Sequence, residues 1–461
     1  MLNQATLRKT NRYDYWITFA LLLIILIMRS SNRILDPVIW AEDSIYISGI
    51  LQHGFMDIFK AQFGYYQSLQ RFICWCVMLF PVKLWPLLLT STCYVIYAAV
   101  FSEFSKADYE AIIPSRLHRI LACTVFAFLP GTNEILGNTP NLGWVLTAYV
   151  GIICLKKLGQ KPSLMEIGFS AACMAGAGQT SIMIPLLLYR LYLTRTSTKI
   201  FPLKLPSVEF QRYLALLIIQ FVFIYLNYLA RAGNAQYITQ LPSIPEVAKA
   251  WFIGTMNGMI LQPILGTHWT HVVGKSAQPV AWVIALSTAI ATTFLFFKLE
   301  KSKRLGIAFV LSWSSAIILC SVVRGWGNLY YSSLVFIEDS RARSSFVLGA
   351  GAIFLCFSLV PHLKWKGKPL SRIGIPIYCL WYFILNGAGD NFFIDSFRGP
   401  SEAIEIRSET KWSNHYGILE KAMKTGCPDN VEVQVEPPGW QVKYQGPQGS
   451  DCQLGPINSA L

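Results

Sequence analysis

The sequence predicts an all-α polytopic membrane protein of about 11 transmembrane helices, with added interfacial helices and a small external C-terminal domain. Three observations carry that prediction. Of 461 residues, 53% are hydrophobic and only 14% are charged, against roughly a quarter charged in an average soluble protein. Several apolar runs are long enough to cross a bilayer. The formal net charge of +14 is gathered in short clusters between those runs: Arg8, Lys9 and Arg12; Lys106, Arg116 and Arg119; Lys156, Lys157 and Lys161; Arg190 to Arg212; Lys298 to Arg304; Lys364 to Arg372. Basic residues in short loops orient helices by the positive-inside rule. The charge therefore reads as topology, and no nucleic acid is expected as a partner. A mean hydropathy of +0.42, with 23 Pro and 32 Gly, fits kinked and closely packed helices and excludes a disordered or acidic-tail protein.

Placing the six basic clusters on the cytoplasmic side threads the chain. A first span at 15–28, continuing to 35, leaves the N-terminus inside. It lacks a small-residue cleavage site and reads as an uncleaved anchor. Between 70 and 106 only one net crossing is allowed. The run 84–104 takes it, and 72–80 reads as a short helix embedded in the outer leaflet. Further spans are expected at 117–130, 142–155, 164–176, 182–193, 213–230, 280–297, 305–323, 346–360 and 373–385. An odd total puts the C-terminus outside.

The external side then holds 36–70, 131–141, 231–278, 324–343 and the tail from 389. This divides the chain into a transmembrane domain (1–388) and a small external domain (389–461). In the tail, Val431, Val433 and Val435 alternate with polar residues, the period of a strand. Among the 11 cysteines, all but Cys427 and Cys452 sit in apolar runs, where Cys behaves as a small hydrophobe. In an oxidising compartment those two could close a loop worth about 3 kcal/mol; two unpaired thiols fit the sequence as well.

Burying acids and bases near a membrane is costly, so clusters of them are informative. The densest is Trp40-Ala-Glu42-Asp43-Ser44, directly after the first span. Adjacent carboxylates in a low-dielectric setting raise one pKa, which suits a general base. The same string also fits a helix N-terminus with Asp43 or Ser44 as cap. Next comes 45–59, expected to lie along the membrane surface as one amphipathic helix with Phe55, Met56, Ile58 and Phe59 on its apolar stripe. Tyr65, Tyr66 and Arg71 follow at the interface. The tyrosines suit a sugar or a membrane belt, and the arginine suits a phosphate or snorkelling.

A second cluster, Glu338-Asp339-Ser-Arg341-Ala-Arg343, places two arginines on the external side against the charge trend. A guanidinium fork matches phosphate oxygens; a local ion-pair cluster explains the pattern nearly as well. His268 and His271 are spaced as a metal pair, but with no nearby third ligand an interfacial role is the better reading. Glu134, Asn138 and Asn141 suit either a polyol or a turn. Walker A, GxSxG and HExxH patterns are absent from the sequence. With no sizeable cytoplasmic domain, a donor already in the membrane fits better than a soluble nucleotide sugar.

Trp40-Ala-Glu-Asp43-Ser, Gly64-Tyr65 and Arg71, with the 130–138 loop, the late arginine pair and Pro-Pro-Gly-Trp440 in the tail, resemble the polytopic bacterial glycosyltransferases of the GT-C architecture. Among these, the serotype-converting O-antigen glucosyltransferases are the nearest in layout. The resemblance implies a GT-C-like fold in the inner membrane, a polyprenyl-phosphate-linked sugar as donor, a glycan acceptor such as O-antigen, and inverting hexosyl transfer on the periplasmic side. It implies Asp43 as base with Glu42 beside it, and Arg341, Arg343 and Arg71 at the donor phosphate. Tyr65, Tyr66, Glu134, Asn138 and His268 are the residues expected to hold sugar or acceptor. Some members of the family use a divalent metal held by several carboxylates; no convincing ligand set is present, so no cofactor is assigned. Rival readings are a lipid-linked oligosaccharide flippase, which would want charges lining the spans, and an O-antigen polymerase.

Overall fold

A computed structural model describes residues 4–29, 32–62, 64–129, 137–197, 207–232, 243–261, 264–265, 273, 276–298, 304–314, 351, 353, 356–362, 364–365, 368–369, 371–384, 410–425, 430–436 and 439–446. Glu134, His268, His271, Glu338, Asp339, Arg341, Arg343, Cys320, Cys427 and Cys452 lie outside them.

The described residues are mostly helical, as expected. In chain order the helices are α1 (Gln4–Arg29), α2 (Asn32–Leu35), α3 (Ala41–His53), α4 (Ser68–Met78), α5 (Trp85–Ser102), α6 (Arg116–Phe126), α7 (Leu142–Cys154), α8 (Leu164–Gly176), α9 (Ile184–Ser197), α10 (Val208–Ala232), α11 (Ile244–Thr255), α12 (Gln278–Lys298), α13 (Arg304–Ser314), α14 (Ser371–Tyr382) and α15 (Trp412–Thr425). Three antiparallel two-stranded ribbons accompany them: β1 (Ala61–Gln62) with β2 (Tyr65–Tyr66), β3 (Lys364–Trp365) with β4 (Lys368–Pro369), and β5 (Asn430–Val435) with β6 (Trp440–Gln445). The expected strand at 431–435 is β5, its three valines buried on one face.

Two of the described helical stretches, Val82–Ser105 and Val208–Ala230, are long and apolar enough to cross a membrane. Others, among them α7, α8 and α14, are apolar but shorter. The structure thus carries a helical, bilayer-compatible chain and falls short of displaying eleven crossings.

Local sequence starts several of these helices. Ser163 and Glu166 form a reciprocal capping box at α8, Ser115 caps α6, and the Ser207 hydroxyl accepts from Phe210 N at 3.2 Å before α10. Each satisfies a donor that the first turn would otherwise strand. All 13 residues of α7 are buried, the mark of a helix that is apolar all round and central to its bundle. Around it the apolar core runs unbroken from Leu22 in α1 to Val442 in β6.

The basic clusters meet acids at one end of the bundle. Arg116 pairs with Asp14 at 2.5 Å, Lys156 with Asp108 and Glu166, Lys157 with Glu110, and Arg190 with Glu209 at 2.6 Å. The other end of α1 is fixed by Arg29, whose guanidinium donates to the carbonyls of Ala127 and Leu129.

At that second end the tail packs on α3. Glu436 N donates to Ile39 O at 3.1 Å, and Lys443 N donates to Ser48 Oγ at 2.8 Å. Lys411 pairs with Asp36 at 3.3 Å. The Trp412 indole N–H donates to Val82 O at 2.9 Å, with its ring against Trp85.

Candidate functional site

The amphipathic stretch expected at 45–59 is interrupted. Helix α3 stops at His53 because Gly54 takes φ 60 and ψ −149, backbone that an L side chain resists. A 3-10 turn, Gly54–Phe59, follows. Phe55, Met56 and Phe59 stay exposed while Ile58 turns into the core. Turned inward with it is Asp57.

Helix α3 is not capped by its acids. Its N-cap is Trp40, in extended backbone and without a side-chain cap bond. Asp43 reaches across the fold instead: one carboxylate oxygen accepts from Thr139 N at 3.1 Å and from the Thr139 hydroxyl. The other oxygen, Oδ2, is buried with no partner, and the residue is 1% exposed. Burial pushes the carboxyl pKa up to about 7, against the lowering pull of the Thr139 bonds, and the neighbouring Glu42 carboxylate adds to the rise. A charge stripped of water is costly, so the proton is held more tightly.

Thr139 lies in a turn that also brings Asn138, Cys74 and Arg33 close. Gly137 enters it at φ 73, and a methyl group added there would come within 3.4 Å of the Arg33 side chain. The Arg33 guanidinium stands 5.1 Å over the Trp40 ring, a cation–π contact. Cys74 Sγ is 3.6 Å from the Thr139 hydroxyl. Asn138 is fully buried; its Oδ1 accepts from Asn141 N at 3.4 Å, and its Nδ2 has no partner.

Arg71, expected at a donor phosphate or snorkelling at the interface, is turned into the fold. It is 2% exposed and ion-paired with Asp57, and it also donates to Gln62 Oε1 and to Asp57 O, the last at 3.2 Å. Its guanidinium lies 4.9 Å over the Tyr46 ring. The two terminal nitrogens are engaged by a carboxylate and an amide, while Nε is buried without a partner. Tyr46 donates to Gln67 Oε1, and Gln67 Nε2 donates to Tyr65 Oη at 3.2 Å. Tyr66 N donates to Asn227 Oδ1 at 2.8 Å, tying the β1–β2 ribbon to α10.

Of the residues singled out from sequence, Asp43, Glu42, Asn138, Tyr65, Tyr66 and Arg71 all fall in this one region between α3, α4 and the start of α7. Thr139, Arg33, Asp57, Gln67 and Gln70 belong to it and were not anticipated. Asp57 did carry a signal, a lone acid in the apolar string Phe55-Met56-Asp57-Ile58-Phe59. The glutamines carried one too, as amides leading into an apolar helix. Thr139 carried none, because its partner is 96 residues away. Among the described residues, no three His, Cys, Asp or Glu side chains group as a metal ion would require. Comparison of the chain with protein-family models, with curated proteins and with solved structures returned no match.

Proposed function

We propose that the chain is an integral membrane glycosyltransferase of the GT-C type. It moves a hexose such as glucose from polyprenyl phosphate to a surface glycan such as O-antigen, on the periplasmic side of a bacterial inner membrane. The observation that carries this reading is Asp43: a buried carboxyl, free at Oδ2 and held at Oδ1, with a pKa near neutrality. Such a group takes a proton at working pH. In the reaction, Asp43 removes the proton of the acceptor hydroxyl and the oxygen bonds to the anomeric carbon. The bond from that carbon to the phosphate oxygen breaks, and its electron pair leaves on polyprenyl phosphate.

Charge gathering on that phosphate calls for fixed cations. Arg341 and Arg343 keep the role the resemblance gives them, and Arg33, whose side chain lies beside Gly137 in the turn that carries Thr139, joins them. Arg71, held by Asp57, instead braces the β1–β2 ribbon and α3. The two span-length helices, the basic clusters at one end of the bundle and the tail against the Asp43 helix at the other support a multi-pass chain with the site facing outward. The full set of about eleven crossings belongs to the same reading.

The test compares surface polysaccharide, by mass spectrometry, from cells carrying the wild-type gene, Asp43→Asn or no gene. One added hexose per repeat with the wild type alone is expected. Altered chain length would point to a polymerase, wholesale loss of polymer to a flippase, and full modification by Asp43→Asn would remove Asp43 as base.

A further inference from the structure

Beside Asp43 the fold buries amide groups that it does not satisfy. Gln70, on α4, is 0% exposed, yet both its Nε2 and its Oε1 lack partners. Asn138 Nδ2 and Gln179 Oε1 are buried and unpartnered too. Each such atom forfeits water without gaining a bond, a cost of about one to two orders of magnitude in folding equilibrium. Native interiors rarely carry several together without a reason.

These amides share a locus. A methyl group added at Gly176 would stand 2.7 Å from Gln70 Oε1 and 3.3 Å from Leu146, while one added at Gly143 would stand 3.1 Å from Gln179 Nε2. Gly143 and Leu146 are one turn apart on α7, so the two glutamines lie along the same helix face. Asn138 and Thr139 sit at the foot of that face. Glycine at 143 and 176 lets the Gln179 and Gln70 amides lie close against the backbone, where a side chain would crowd them. The α8 helix ends there at Gly176, and a 3-10 turn, Gly178–Met183, begins. Over this break lie Tyr65 and Asn227, each 3.5 Å from a methyl group added at Gly178. Gln179, Gly178, Tyr65 and Tyr66 are only half-buried.

The chemistry of the cluster selects a class of ligand. An amide offers a carbonyl acceptor and an NH2 donor side by side, matching two neighbouring hydroxyls. The three amides carry no charge with which to hold an anion. Arg71 is paired with Asp57, and the first N–H groups of α7 already donate to the carbonyls of Thr139, Pro140 and Asn141. Asp43 and Glu42 would repel a second carboxylate. We propose that Gln70, Asn138 and Gln179 form a subsite for an uncharged, hydroxyl-rich ring, a neutral hexose, next to Asp43. The choice of a sugar rests on the glycosyltransferase reading.

The test uses the full-length protein in detergent, titrated by thermal shift with polyprenyl phosphoglucose, polyprenyl phosphoglucuronate and bare polyprenyl phosphate. The wild type is expected to bind phosphoglucose about tenfold tighter than the bare lipid phosphate, the yield of one or two net hydrogen bonds. The glucuronate should gain no such advantage. Gln70→Leu and Gln179→Leu should each bring phosphoglucose down to the level of bare polyprenyl phosphate. In the ligand-free protein, Gln70→Met and Gln179→Leu should melt no lower than the wild type, because an unpartnered amide is removed. Wild-type phosphoglucose affinity in both leucine variants overturns the subsite, as does equal binding of the glucuronate. Lower ligand-free melting of Gln70→Met overturns it as well, since that marks a packing role. Retained transfer by Asp43→Asn would refute the base while leaving this result standing.

Discussion

Replacing Asp43 with Asn should change stability in a way that depends on pH. The carboxyl has a pKa of about 7 in the folded protein against 3.8 for the free group. Between those values the folded chain keeps a proton that the unfolded chain releases, so stability falls as pH rises. Integrated over that window, the loss is about 4 kcal/mol. It is absent below pH 4 and complete above pH 7. Asparagine preserves the shape and one acceptor for Thr139 but has no proton to lose. The melting temperature of Asp43→Asn relative to wild type, measured in detergent from pH 4 to pH 9, should therefore climb through the acid range and level off above pH 7. A difference that stays flat across the series would show that Asp43 is not held protonated by burial, and the argument for a near-neutral base would fall with it.

Thr139→Val removes the hydroxyl that pulls the Asp43 pKa down, so the acid limb of the pH–activity profile should move to higher pH while the backbone N–H bond remains. Asp57→Asn or Arg71→Met alone strands a buried charge and should cost about 3–5 kcal/mol; the double variant should cost much less than the two singles added, as read by a double-mutant cycle on thermal unfolding. Trp412→Ala gives up the bond to Val82 O and the contact with Trp85, a loss of about 3–5 kcal/mol that limited proteolysis should report as cleavage of the tail before the bundle.

The helical class was legible because composition and run length are local properties of a chain. So was the β5 strand, since three alternating valines point one way whatever they face. The end of α3 could have been placed earlier, because Gly54 sits where the apolar stripe begins. Arg71 could not. Its type and position suit a phosphate, and only the inward turn of Asp57, fixed by a 3-10 turn after Gly54, gives it a carboxylate for a partner. Asp43 was legible as an acid in a costly place, but what holds it, Thr139, comes from a loop far along the sequence. Motif reasoning finds residues that carry chemistry; it is blind to partners whose only qualification is where the fold delivers them.

The docking of β6 on α3 joins residues 395 positions apart in the chain. Synthesis runs from the N- to the C-terminal side, so the helix bearing Asp43 is made well before the β6 strand that packs on it. A ribosome that stops before Trp440 leaves Ser48 without Lys443 N and Ile39 with a chain that ends just beyond Glu436. Nonsense changes before Trp440 should therefore damage the surroundings of α3, and a tag inserted near residue 445 sits closer to Asp43 than sequence distance would suggest.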